Sequence, residues 1–281
     1  MRPTTRLREL LRGDRIVVAP FAYDAMQAKI VEQTGFPAVY MTGFGTAAAR
    51  GYPDVGLITM SEMVQNAAYI ASAVSVPVIA DADTGYGNPL NIRRTVREYE
   101  RAGMAAIHIE DQVWPKKCGF MAGKRVIPRD EMVQKIRAAL DARLDDDFLI
   151  IARTDALAVN GLDDALNRCR AYHTAGADLI FVDGLKTGEH IAAVAQSLRG
   201  IPLLYNGGYV SVQEAEDLGY KVMITAGTIF AVYKCVRNLM QELKTTGRTW
   251  TSSEREQLFK EFTDFIGLPE IYDAERCYGV V

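Results

Sequence analysis

The chain has few cysteines, no long apolar run and no excess of basic charge, and each absence removes a class of function. Cys118, Cys169, Cys235 and Cys277 are scattered without metal-ligand spacing, which argues against a zinc module and for reduced thiols in a cytoplasm. No apolar stretch approaches the roughly 20 residues needed to span a bilayer, so no membrane role is expected. A net charge of −3 leaves no basic face for nucleic acid. The opening MRPTTRLRELLRGDR is basic without an apolar core and does not read as a secretory signal. Low-complexity segments and convincing internal repeats are missing too. What remains is 281 residues, 49% hydrophobic, enough for one large core or two small ones.

Eight short runs, mostly apolar throughout, punctuate the chain at 15–20, 37–42, 76–81, 105–110, 148–153, 178–183, 202–206 and 221–226. Unbroken apolar runs suit parallel strands covered on both faces. Helical patterns lie between them. SEMVQNAAYIASAV opens with Ser61 as a cap, PRDEMVQKIRAALDARL with Pro128 and early acids, and GLDDALNRCRAYHTAG and SVQEAEDLGY read similarly. The alternation predicts an α/β protein, a (β/α)8 TIM-type barrel over residues 1–245. A doubly wound sheet is the alternative, but APFAYDAMQAKI carries no G-x-G after the first strand. Residues 246–281 read as a C-terminal helical extension, packing on the barrel or on a neighbouring subunit.

Barrel chemistry collects at the C-terminal ends of strands. Those ends read Tyr40-Met41-Thr42-Gly43, Asp81-Ala82-Asp83, Glu110-Asp111, Arg153-Thr154-Asp155, Asp183 and Asn206-Gly207-Gly208. Asp81, Asp83 and Glu110 can hardly share one mouth uncompensated, and a hard dication would relieve them. D-A-D can also simply cap the following turn. Arg153, ending a buried strand, needs an anion: a structural aspartate such as Asp155 or Asp183, or a substrate carboxylate. Gly43 and Gly45 would let backbone N–H groups approach an anion. His108 reads as a packed histidine, and His190 as a mouth residue that could touch substrate.

About 17 residues after Glu110, Asp111 to Ile127, lack a core pattern, as a lid or binding element would. Lys116 and Lys117 flank Cys118 there and are expected to favour its thiolate. A tuned thiol on a lid can protonate a carbanion, although a loop cysteine can also be incidental.

Taken as a set, VYMTGFG, DADTGYGNP, IHIEDQ, IARTDA and the lid run Lys116-Lys117-Cys118-Gly119 resemble the isocitrate lyase / phosphoenolpyruvate mutase superfamily, on its lyase branch. The resemblance implies a Mg2+-dependent barrel (Mn2+ as a possible substitute), a homotetramer exchanging its last helix between subunits, and cleavage of a hydroxy acid. It implies metal at Asp83 assisted by Asp54, Asp81 and Glu110. It implies carboxylate binding by Thr42, Gly43 and Phe44, an enolate-stabilising Arg153, Tyr40 as a base and Cys118 as proton donor. Phe120 stands where the family has a lid histidine. NGGYVS follows where polar residues grip a distal carboxylate, and Asp183 where some members have glutamate. From those exchanges a substrate with a larger or esterified far end is expected, such as an acyl-CoA thioester, contacted by Asn206, Asp183 and His190. Oxaloacetate decarboxylation or hydrolysis, or metabolite binding without turnover, are the competing readings.

Overall fold

The computed structural model describes residues 1–225 and 227–280. Its elements, in order, are α1 (Pro3–Arg12), β1 (Val17–Ala22), α2 (Ala25–Gln33), β2 (Val39–Met41), α3 (Gly43–Ala49), α4 (Met60–Ala73), β3 (Val78–Asp81), α5 (Pro89–Arg101), β4 (Ala106–Glu110), α6 (Arg129–Ala142), β5 (Leu149–Thr154), α7 (Ala156–Asn160), α8 (Leu162–Thr174), β6 (Leu179–Val182), α9 (Gly188–Ser197), β7 (Leu203–Asn206), α10 (Val212–Asp217), β8 (Val222–Thr225), α11 (Thr228–Thr246), α12 (Ser252–Ile266) and α13 (Leu268–Tyr278). The eight strands are parallel and close in sequence order, β8 back onto β1. This is the expected (β/α)8 barrel. Ala226, the last residue of the eighth expected strand, lies outside the described residues.

Every strand is buried on both sides because helices cover the outside and side chains fill the inside. The inner layer contains Val17, Ala19, Tyr40, Ile79, Ala106, Leu149, Ile151, Leu179, Phe181, Leu204, Val222 and Ile224. Leu7, fully buried, joins this inner group from α1. Side chains alternate along a strand, so the residue two positions after an inner one also faces inward. That parity points Asp81, Glu110, Arg153, Asp183 and Asn206 into the mouth.

Two local readings are corrected. Helix α4 begins two residues earlier than Ser61 suggested: Thr59 is its cap, in a reciprocal box with Glu62. Strand β1 runs past Pro20, which ended the expected run. Val17 to Pro20 pair with β8, whereas Phe21 and Ala22 pair with β2, so the proline sits where the strand changes partners.

The chain forms two compact units, Met1–Thr228 and from Ile229 onward. The sequence-based boundary at 245 falls at the end of α11. The tail contains two helices where one was expected, α12 and α13, divided at Gly267, whose φ of +95° favours glycine. No residue of α11, α12 or α13 is buried. Among the described residues no helix is long and apolar enough to cross a membrane.

Candidate active site under the lid

Six buried carboxylates ring the mouth: Asp54, Asp81, Asp83, Glu110, Asp155 and Asp183. Three buried cations face them. Arg153 sets its fork on Asp155 (2.9 and 3.1 Å), with Glu110 Oε2 at 3.3 Å and Asp183 Oδ2 at 3.4 Å. The structural partner of Arg153 is therefore Asp155, whose pKa falls to about 2: burial opposes its charge, but Arg153 and Lys124 outweigh it. Lys124 reaches Asp155 at 2.7 Å, Asp183 at 3.4 Å and the Gly119 carbonyl at 2.6 Å. Lys116 lies 2.5 Å from Asp54 Oδ1 and 2.8 Å from Asp83 Oδ1.

The sequence reading missed what the two lid lysines do. Lys116 was expected to lower the pKa of Cys118; its ammonium instead turns into the carboxylate ring. Burial works against that charge, yet Asp83, Asp81, Glu110 and Asp54 hold the ammonium well above the usual lysine range. The half-buried Cys118 thiol is pushed up, first by burial, so it stays protonated. The available signal was the surplus of acids at the strand ends, which demanded compensation from somewhere in a loop carrying lysines.

Three cations do not balance six acids, and protons relieve part of the surplus. Burial raises Glu110 well above the carboxylate range and Asp83 to about 6. Asp81 stays ionised: burial is outweighed by His108, Lys116 and Arg153, and its oxygens accept from Asp83 N (2.9 Å) and Gly43 N (3.2 Å). A Cβ on Gly43 would lie 2.5 Å from Asp81 Oδ2, so only glycine allows that approach. Asp83 adopts φ 47°, a left-handed conformation unusual for a side-chain-bearing residue, of the kind held at functional sites.

The remaining expected residues fall as follows. Tyr40 is buried with its hydroxyl 2.6 Å from His108 Nε2; burial and then Asp81 keep the phenol protonated. Thr42 caps α3 by accepting from Gly45 N, and Gly43 and Phe44 begin that helix. Asn206 ends β7, half-buried. His190 is exposed on α9 and is not among the buried ring. Gly207 does not open the mouth: a Cβ there would meet Met223 at 2.2 Å. Gly208, φ +140°, has free space.

The lid itself is tied at its base. Gln112 bridges Val126, Val113 N donates to Arg125 O (2.8 Å) and Ile127 N to Asp111 O (2.9 Å). Its tip rests on the ring through Cys118 N donating to Asp54 O at 2.9 Å. Gly119 packs so closely that a Cβ would stand 2.0 Å from Asp183 Oδ2. Gly119→Ala is therefore expected to keep the lid off the ring; faster tryptic cleavage within 116–125 than in the parent checks this, and an unchanged rate contradicts it.

Whether these residues suit a dication can be judged from their unmet valence. Glu110 Oε1 is buried with no hydrogen-bond partner; Asp83 Oδ1, although near Lys116, has no aligned donor. Such oxygens fit a hard cation with oxygen ligands. With Lys116 among them, no three His, Cys, Asp or Glu side chains of the described residues converge as a ready ligand set.

Residues 7–244 match the phosphoenolpyruvate phosphomutase family. The chain is 46% identical to 2,3-dimethylmalate lyase of Eubacterium barkeri, covering 99% of each chain. It is 43% identical to 2-methylisocitrate lyase of Aeropyrum pernix, over 95% of this chain and 88% of that one. Among solved structures, 2,3-dimethylmalate lyase superposes with a TM-score of 0.92 at 38% identity, covering 99% and 96% of the two chains. Oxaloacetate acetylhydrolase with 3,3-difluorooxalacetate gives 0.92 at 36%, covering 99% and 97%. Phosphonopyruvate hydrolase complexed with oxalate and Mg++ gives 0.91 at 31%, covering 99% of each. The chain belongs to the PEP mutase/isocitrate lyase superfamily.

Proposed function

We propose that this protein is a divalent-metal-dependent carbon–carbon lyase that cleaves a branched 2-hydroxy dicarboxylic acid into a 2-oxo acid and a shorter carboxylic acid. The observation that carries this reading is the placement of the Cys118 thiol on a lid seated over buried carboxylates, its backbone N–H donating to Asp54 O; burial raises its pKa, which suits a proton donor. Mg2+, or Mn2+ in its place, would be held by Asp83 with Asp54, Asp81 and Glu110. When bound, it supplies charge that favours loss of the substrate hydroxyl proton and stabilises the developing enolate.

The chain's own groups do the rest. Thr42, Gly43 and Phe44 at the start of α3 hold the carboxylate of the 2-oxo fragment. Arg153 offers its guanidinium to the charge that appears as the carbon–carbon bond breaks. Cys118 gives its proton to the carbanion so formed. Tyr40 acts as the base in its phenolate form, its own proton having passed to His108 Nε2 2.6 Å away, and takes the substrate hydroxyl proton. Asn206 at the end of β7 and Asp183 just past β6 meet the far end; His190, exposed on α9, is left out of that contact. The filled space at Gly207 weakens the case for a bulky thioester, and the dimethylmalate and methylisocitrate lyases among the relatives support a free acid.

The test is a panel of 2,3-dimethylmalate, 2-methylisocitrate, oxaloacetate and a citramalyl-CoA thioester, each with Mg2+. Release of a 2-oxo acid from a branched free acid supports the reading. Oxalate or CO2 from oxaloacetate alone, the chemistry of the acetylhydrolase relative or of a decarboxylase, would overturn it.

Metal affinity should weaken as the pH falls below about 6, because a proton on Asp83 competes with the cation. Calorimetric Mg2+ titrations at pH 5 and 8 check this; equal affinities would contradict it.

A homotetramer, a dimer of dimers, is also proposed. Phe230, Tyr233, Phe259, Phe262 and Ile271 on α11–α13 are each at least 48% exposed, an apolar load that a second copy would cover. Sedimentation giving a monomer at micromolar concentration would exclude it. We also propose a cytoplasmic location, consistent with the unpaired cysteines.

A further inference from the structure

Lysine is almost never fully buried unless it is paired. Lys116, Lys124 and Lys135 are all buried, and the first two end on carboxylates. Lys135, from α6, forms no ion pair among the described residues; its Nζ donates to a backbone carbonyl, Thr84 O, at 3.0 Å. Burying a charge without a counter-charge is costly, and burial lowers this ammonium's pKa against the pull of Glu131, Glu110 and Asp111.

Thr84 follows Asp83, the residue assigned above as the chief holder of the metal. The turn there runs against local preference. Asp83 (φ 47°) and Tyr86 (φ 60°) are both left-handed, a conformation that side-chain-bearing residues seldom hold unless neighbours enforce it. The enforcement can be followed one carbonyl at a time. Asp81 O accepts from Tyr99 Oη (3.0 Å), Ala82 O from Gly85 N (2.8 Å), Asp83 O from Glu110 N (2.9 Å) and Gly85 O from Thr95 Oγ1 (3.0 Å). Thr84 is buried among them, and its carbonyl is the one that Lys135 takes. A charge-assisted hydrogen bond is roughly twice as strong as a neutral one, which makes this the strongest tie on the turn.

We infer that Lys135 is a positioning residue: through Thr84 O it holds the left-handed turn that aims the Asp83 carboxylate into the mouth. This rests on the metal-dependent reading above. Positioning and simple electrostatics predict opposite signs. Lys135 is a cation near Glu110 and Asp111, so if charge were its whole contribution, removing it would tighten Mg2+ binding. Losing the tie should instead weaken binding by about 10–100-fold, the usual effect of removing a group that orients a metal ligand.

The experiment compares the parent, Lys135→Met, which keeps an apolar stem and loses the donor, and Ile136→Ala, a core truncation on the same helix. Full-length, chelator-treated proteins are titrated with Mg2+ by calorimetry at about pH 8, well above the Asp83 pKa of about 6. Amide exchange over residues 82–88 is followed without metal by peptide mass spectrometry. Lys135→Met should bind Mg2+ about 10–100-fold more weakly and exchange several-fold faster over 82–88. Ile136→Ala should keep the parental Mg2+ affinity, because loosening α6 elsewhere leaves the Thr84 tie in place.

Equal or tighter Mg2+ binding by Lys135→Met, unchanged exchange over 82–88, or equal weakening in Ile136→Ala would overturn the proposal while the metal-dependent reading stands. No Mg2+ binding by the parent removes both. Should Lys135→Met not melt cooperatively, Lys135→Gln is measured under the same criteria.

Discussion

Replacing Arg153 by alanine is expected to lower kcat by about 10²–10³-fold and to destabilise the fold by about 3–5 kcal/mol. The two effects share one cause. Arg153 is buried, forks onto Asp155 and approaches Glu110 and Asp183, so its removal strands acidic groups that burial already burdens. The same guanidinium is the side-chain cation assigned to the developing enolate in the proposed reaction. Arg153→Lys keeps the charge and loses the fork, and should fall between the parent and alanine in both quantities. Steady-state kinetics with urea denaturation checks this. An alanine variant with parental kcat would remove Arg153 from the chemistry, whatever its effect on stability.

Cys118→Ser should lower kcat by about 10²–10⁴-fold, the usual contribution of a placed proton donor, with little change in Tm. The thiol lies on the lid, outside the barrel core, so its loss leaves the fold's packing intact. The pH profile carries the more specific signature. The folded pKa is raised, so the acid form needed for donation persists through neutral pH and is lost only above the ordinary thiol range. Activity should decline along that alkaline limb in the parent, and the limb should vanish in the serine variant. A parent whose activity rises with deprotonation of Cys118 would make it a nucleophile or base, contrary to the proposed role.

The barrel was legible because its signal is repetitive. Apolar runs recur eight times, four of them ending in Asp81, Glu110, Arg153 and Asp183, and parity then aims those four into one mouth. The lid's position was legible from its length and lack of core pattern. What the lid carries inward was not, because a flexible lysine in a loop reads as a solvated charge unless the acids that attract it are known to be neighbours. Lys116 and Asp54 are 62 residues apart, and Lys124 and Asp155 31. Gly207 misled for a related reason. Glycine looks like empty space in a sequence, yet here the end of the Met223 side chain lies where a Cβ would stand.

The central claim is that the buried acids at the barrel mouth exist to seat a dication on which cleavage depends. Its most direct test is 2-oxo acid release from a branched hydroxy diacid by exhaustively chelated protein, before and after Mg2+ is restored. The account predicts no turnover until the metal returns and full turnover afterward. Equal rates in both states would contradict it.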